Sequence, residues 1–353
     1  YAHLESHSSQ APQAGDSFGW AAAMDGSSMV VASLQRSNSG SGKVSHYRKN
    51  SGDTWSYVSS FASDDNESED EFGHDLDLSG NYLIVGAPLT DDDGNSSGSA
   101  YIFELNGSSW GQVAKLRPAG LSVDDKFGYS VALSGNLAFV GAVNGDSNLS
   151  NTGCVYVFEK TQTGWTEVGK INPPSPTADQ LFASNLETHD DLLMVGAPQQ
   201  GEDGFGYIYR VDGNSSSWNL ISALDCKAAS STNKDFTFLS LTNGMAVMGS
   251  PGDSTKESFG GGILVFYNDA WGTLSLPDLR PIIDGNSTPV LRLAEDPIQS
   301  HTYDLNGSHP FSTSLTWAID DSNVSSGQAQ FDINSSTGLF SYLPEGNFSG
   351  LHT

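Results

Sequence analysis

Phe127-Gly128-Tyr129-Ser130-Val131-Ala132-Leu133-Ser134-Gly135-Asn136-Leu137-Ala138-Phe139-Val140-Gly141-Ala142 is the stretch whose reading decides the fold. Phe127 to Leu133 alternates between outward and inward positions. Ser134-Gly135-Asn136 has the composition of a tight turn, and Leu137 to Val140 is a short buried run, so two antiparallel strands follow one another. After a polar loop from Gly141 to Gly153, Val155 to Phe158 is a third strand rich in β-branched and aromatic residues. Thr161-Gln162-Thr163-Gly164 then turns into a fourth strand around Trp165 to Ile171. Four antiparallel strands in one unit make one blade of a β-propeller.

The unit recurs. Its phenylalanine stands at Phe18, Phe72, Phe127, Phe182 and Phe236, spaced by 54 or 55 residues, and a late tryptophan keeps the same register at Trp55, Trp110, Trp165, Trp218 and Trp271. A fixed period of this size, with short apolar runs separated by Gly, Asn and Asp turns, signals small sheets that need neighbours to bury their faces. The second copy runs from Phe72-Gly73 through Leu83-Ile84-Val85-Gly86-Ala87-Pro88 to Tyr101-Ile102-Phe103 and Trp110. The others depart from it: Ala183 follows Phe182, Ala32-Ser33-Leu34 replaces Gly-Ala-Pro, and Phe236-Thr237 opens the fifth. Leu4-Glu5-Ser6-His7 reads as the tail of an earlier fourth strand.

In these residues the chain resembles the FG-GAP type of propeller repeat, related to the blades of integrin α-chain heads, over about residues 14 to 275. The resemblance implies a β-propeller whose usual business is extracellular recognition or adhesion; fold transfers better than function. The expected fold class is all-β: about five four-stranded blades over residues 1–280, then a β-sandwich lacking its last strand over 281–353. In that second domain, strands are expected near Val290–Leu293, Leu315–Ile319 and Leu339–Tyr342. The stretch from Glu295-Asp296-Pro297 to Leu339 resembles cadherin-like or immunoglobulin-like modules of bacterial surface proteins, which continue into one more strand.

Net charge is -27, from 42 acidic and 15 basic side chains. A nucleic-acid backbone would be repelled, whereas cations or a salty medium suit the chain. No apolar run approaches the roughly 20 residues that span a bilayer, and the start at Tyr1 reads as a processed or truncated product. Ten of the 22 asparagines lie in Asn-x-Ser/Thr: Asn66, Asn95, Asn106, Asn148, Asn214, Asn286, Asn306, Asn323, Asn334 and Asn347. N-linked glycans and an extracellular or cell-surface location are the expectation. Cys154 and Cys226 are the only cysteines; in repeat register they fall at the same end of the sheets, leaving one disulfide or two isolated thiols.

Acidic loops follow the second strand of several blades. Asp91-Asp92-Asp93-Gly94-Asn95 offers the hard oxygen ligands of Ca²⁺, with Asp91, Asp93 and Asn95 as candidates. Three consecutive aspartates depart from the alternating loop of integrin-type blades, and solvated acidic turns are the competing reading. The carboxylates before each marker Phe, including Asp70 and Asp125, read as turn formers that bond nearby N–H groups, and the repeated tryptophans as packing between blades. Enzyme signals are poor: Gly15-Asp16-Ser17-Phe18-Gly19 matches G-x-S-x-G without the strand-to-helix elbow. The expectation is a non-enzymatic extracellular structural or adhesive glycoprotein that associates with itself, with other surface proteins or with glycans. The alternatives are a lectin-like propeller, marked by aromatics and polar groups at one end of the channel, and a glycosidase with two opposed carboxylates there.

Overall fold

The computed structural model describes residues 5–10, 12, 15–35, 40–146, 149–198, 204–211, 218–225, 238–242, 244–250, 262–268, 301–304, 330–334 and 339–343. The chain divides into two compact units, Tyr1–Phe266 and Tyr267–Thr353.

The first unit is a propeller of five blades. Four are complete four-stranded antiparallel sheets in simple meander order. Blade 1 comprises β1 (Phe18–Asp25), β2 (Ser28–Ser33), β3 (Lys43–Lys49) and β4 (Trp55–Phe61). Blade 2 has β5 (Leu76–Ser79), β6 (Tyr82–Ala87), β7 (Ser99–Asn106) and β8 (Ser109–Leu116). Blade 3 has β9 (Phe127–Ser134), β10 (Leu137–Ala142), β11 (Cys154–Thr161) and β12 (Gly164–Ile171). Blade 4 has β13 (Leu186–His189), β14 (Leu192–Ala197), β15 (Phe205–Val211) and β16 (Trp218–Asp225). The fifth contributes β17 (Phe238–Thr242), β18 (Met245–Ser250) and β19 (Gly262–Tyr267) among the described residues. The pairing register slips between the third and fourth strands at one place in each complete blade: His46/Tyr47, Ile102/Phe103, Val157/Phe158 and Ile208/Tyr209. Such bulges increase local twist, so the outermost strand of every blade turns in the same way.

Blades pack face to face. Ile84 and Ile102 of blade 2 meet Val131, Tyr156 and Phe158 of blade 3, whose opposite face (Phe139, Val155 and Val157) meets Phe182, Tyr207 and Tyr209 of blade 4. Each marker Phe is fully buried in blades 2 to 4 and meets aromatics of its own third strand: Phe72 meets Tyr101 and Phe103, Phe127 meets Tyr156 and Phe158 edge-on at 5.5 and 6.1 Å, and Phe182 meets Tyr207. The late tryptophans reach back to the preceding blade: Trp110 to His46 and Phe61, Trp165 to Tyr82, Trp218 to Phe139. They are packing residues, as their repetition predicts. The segment before Phe18 lies on blade 1 rather than extending a sheet: Glu5 Oε1 accepts the Trp55 N–H at 2.7 Å and the His7 ring sits 4.9 Å from Tyr47.

A backbone bond fixes the blade spacing. The N–H groups of Phe72, Phe127 and Phe182 donate to Ser41, Ser97 and Thr152 carbonyls of the preceding blade at 3.0, 3.0 and 3.1 Å. Next to each acceptor stands a glycine at positive φ, namely Gly42, Gly98 and Gly153, and a Cβ there would lie 2.0, 2.1 and 1.9 Å from the marker Phe carbonyl oxygen.

In the second unit, β20 (His301–Asp304), β21 (Gln330–Asn334) and β22 (Leu339–Leu343) form one antiparallel sheet with β22 in the middle. The expected strand at Leu339–Tyr342 is therefore present, while the expected strands near Val290 and Leu315 lie outside the described residues. A three-stranded sheet is what the described part contains; the sandwich needs a second.

Gly98→Ala is expected to destabilise the propeller by about 2–5 kcal/mol, since it adds a left-handed penalty to a backbone clash. Gly107→Ala shares the positive φ but meets nothing within 4 Å, and should cost only about 1 kcal/mol. Equal losses in chemical denaturation would refute the role given to the inter-blade contact.

Candidate ligand site at the channel mouth

The inner strands of all five blades surround a cavity of about 1140 Å³. The residue two places after each marker position lines it, and in blade order these are Trp20, His74, Tyr129, Ser184 and Phe238. Four carry rings. Trp20 Nε1–H donates to the His74 carbonyl at 3.0 Å, and His74 Nδ1 lies 2.9 Å from the Tyr129 carbonyl, which assigns the proton to Nδ1 because a carbonyl only accepts. Ring centroids are 6.1 Å apart from Trp20 to His74 and 4.5 Å from His74 to Tyr129. Each of these two side chains is thus tied to the next blade while its ring borders the cavity. Trp20 is 47 % exposed and Phe238 71 %.

Further along the same strands come the acids. The inner edge of β9 has no strand beyond it, so its N–H groups on that side need other acceptors. Asp77 of β5 and Asp75, just before that strand, supply them. Asp75 Oδ2 accepts from Val131 N–H at 2.8 Å and Oδ1 from Leu76 N–H at 2.9 Å; Asp77 does the same for Leu133 and Leu78, both at 2.7 Å. Burial pushes the Asp75 carboxyl up to about 7, with the two N–H bonds acting against the rise; Asp77 is raised for the same reason. These two acids are backbone acceptors that hold blade 2 to blade 3.

Glu187 occupies the position of Asp77 two blades on. It lines the cavity with Asn185 and Ser184 of the same strand region. Burial, and then the charge of Asp77, push its carboxyl up to about 7, with no hydrogen bond contributing. The one cationic side chain on the lining, Lys126, is 3.3 Å from Asp124.

In the loop expected to offer calcium ligands, the acids are engaged by groups of the chain itself. Asp93 is gripped by Arg117 through Nε and Nη2 at 2.6 and 2.8 Å, Asp92 by Lys115 at 2.5 Å, and Asp91 Oδ1 accepts from Ser96 N–H at 2.8 Å. Asn95 is exposed. The protein's own cations neutralise this loop, and among the described residues no group of three or more His, Cys, Asp or Glu is arranged to hold a metal. Two of the acids before the marker Phe act as the sequence predicts: Asp70 and Asp125 accept from Glu67 and Ser122 N–H, both at 2.8 Å; Asp16, Asp124 and Asp179 meet side chains. Cys154 is a free, buried thiol whose pKa burial pushes up to about 11; Cys226 lies outside the described residues. Asn66 is half-buried, its amide donating to Ser41 Oγ and to Gly42 O. Asn106 is exposed, Asn334 lies in β21, and Asn148, Asn214, Asn286, Asn306, Asn323 and Asn347 fall outside the described residues.

The collar was missed in the sequence although it occupies one column of the aligned repeats. Its signal is the sequence Trp, His, Tyr, Ser, Phe at a place where a purely structural repeat would keep one residue type.

Segments 55–103 and 110–158 match the FG-GAP repeat family. Among curated proteins no sequence matches. A solved structure described provisionally as a 6-phosphogluconolactonase from Bacteroides uniformis is similar in fold, with a TM-score of 0.50 and 10 % identity over 73 % of this chain and 70 % of that one. At that identity the likeness concerns the fold alone. Among the described residues no helix is long and apolar enough to cross a membrane. The first unit is a five-bladed β-propeller, two segments of which match the FG-GAP repeat.

Because the folded pKa of Asp75 lies above its unfolded value, the folded chain binds the extra proton between roughly pH 4 and 7, and the associated stability is present at low pH and lost as pH rises through 7. Asp75→Asn removes this loss. The thermal midpoint of the variant relative to the parent should climb from pH 4 to pH 8, reflecting up to about 4 kcal/mol; parallel profiles would show that Asp75 titrates normally.

Proposed function

We propose that this chain is the binding head of an extracellular glycoprotein, and that it receives a small ligand at the mouth of the central channel. The collar carries the reading. A packing role accounts for Trp110, Trp165 and Trp218 of the fourth strands, whereas the collar residue differs from blade to blade and lines an open cavity. Rings presented beside amide, hydroxyl and carboxylate groups are the usual furniture of a small-molecule site. The aromatics and polar groups that line the cavity also support the lectin-like alternative.

A second reading, that of a structural or adhesive subunit, draws on a separate observation. Met24, Phe238, Ile263 and Val265 are exposed apolar residues of the first and fifth blades, with Ile263 at 72 %. Large apolar groups left in water favour association, and other copies or surface proteins are the partners it implies. N-linked glycans at Asn106 and Asn95 belong to both readings, and both place the protein outside the cell.

The site is tested by screening a glycan and metabolite panel against the full chain: ligands found should bind saturably, and Trp20→Ala should weaken them at least tenfold while leaving the thermal midpoint within a few degrees. Ligands that bind equally well to that variant would move the function away from the channel. Glycopeptide mass spectrometry of secreted material should find Asn106 occupied and Asn66 bare, because a glycan at Asn66 would break its bonds to blade 1. A glycosylated Asn66 in folded protein would contradict the geometry.

A further inference from the structure

We infer that the group received at the channel mouth is an organic cation, an amine or quaternary ammonium with an apolar flank. This rests on the channel-mouth reading above and adds the sign of the ligand's charge. The collar supplies the rings of Trp20, Tyr129 and Phe238, and the negative face of an aromatic ring attracts a cation that has lost part of its water. Ser184 is the collar position without a ring, and Glu187 of β13 lies three residues on and lines the same cavity.

Glu187 has no hydrogen bond or counter-ion among the described residues, whereas the other two acids on the lining are committed to Val131 and Leu133 N–H groups. Lys126, the cation nearest in the lining, stands beside Asp124. One uncompensated carboxylate in a desolvated setting is costly unless a positive charge joins it. A ligand with a single cationic head supplies that charge, and its apolar flank covers the rings. The field of a chain with net charge -27 draws cations toward the mouth and repels phosphorylated or carboxylated compounds. A neutral sugar stacks on the same rings but leaves Glu187 without a counter-charge.

Cation binding also has a pH signature. Glu187 is held partly protonated near neutrality by burial and by the Asp77 charge, so a cation that needs its ionised form binds more tightly as pH rises through about 7. His74, Asp75 and Asp77 in and just before β5, Lys126 just before β9 and Tyr129 within it line the same cavity; comparing parent and Glu187→Gln separates their titration from that of Glu187.

The test is calorimetry on the full chain with three probes: hexyltrimethylammonium, hexylamine and methyl α-glucoside. The expected result is one-to-one binding of both cations and none of the glucoside, weakened at least tenfold by Glu187→Gln and by Trp20→Ala, with the rise in affinity between pH 6 and 8 abolished in Glu187→Gln. Tyr129→Leu replaces Trp20→Ala should that variant fail to fold. Glucoside binding that depends on Trp20 and ignores Glu187 would overturn the cation and leave the channel site standing. Failure of all three probes, or binding indifferent to both substitutions, would overturn the cation and the site together.

Discussion

The propeller depends on one close approach between main chains. Where the marker Phe of one blade donates its N–H to the loop of the blade before it, the neighbouring glycine has no Cβ, and the two backbones come within a distance that any side chain would forbid. That contact sets the rotation from blade to blade. The aromatic core then follows, because Phe127 and its counterparts are held at the depth where they meet the third-strand aromatics, and Trp165 and its counterparts reach across to the blade behind. Hydrophobic burial supplies most of the stabilisation, but burial is indifferent to a small slide of one sheet on another. The glycine contact is not.

With blade spacing fixed by residues that repeat, the inner strands are released to vary. Two places along each inner strand read Ala/Ala, Asp/Asp, Ser/Ala, Asn/Glu and Leu/Leu from blade 1 to blade 5. In blade 2 the acids satisfy an exposed strand edge; in blade 4 the acid that takes the same place has no such bond. A regular frame thereby carries an irregular channel, and any recognition must come from the irregular part. The same chemistry, a carboxylate beside an inner strand, is a staple at Asp77 and an open acceptor at Glu187.

Much of the fold was legible because it rests on residues that recur: the Phe and Trp columns gave blade number, strand order and turn positions down to Ser134-Gly135-Asn136. The site was less so. A carboxylate's fate depends on which group it meets across the fold, and nothing near Asp93 in the sequence shows that Arg117 closes on it, nor does anything near Asp75 show that it will cap Val131. Lys115 and Arg117, which pair with Asp92 and Asp93, stand a strand away from the Asp91–Asn95 loop. The Asn66 sequon likewise gives no sign that its amide turns inward to Ser41. Local turn chemistry, by contrast, was readable at Asp70 and Asp125, since donor and acceptor there are three residues apart.

The family-matched segments are out of step with the blades. Residues 55–103 begin on β4, the outer strand of blade 1, and end on β7, the third strand of blade 2; residues 110–158 repeat the arrangement one blade on. Each unit of sequence thus finishes its predecessor and leaves its own sheet to be finished by its successor. An array built this way can gain or lose a unit without stranding a blade edge, since β8 and β12 are interchangeable as closing strands. Blade number becomes something that duplication and deletion can alter while every sheet stays whole, and the channel, whose side chains differ in each unit, is remade each time.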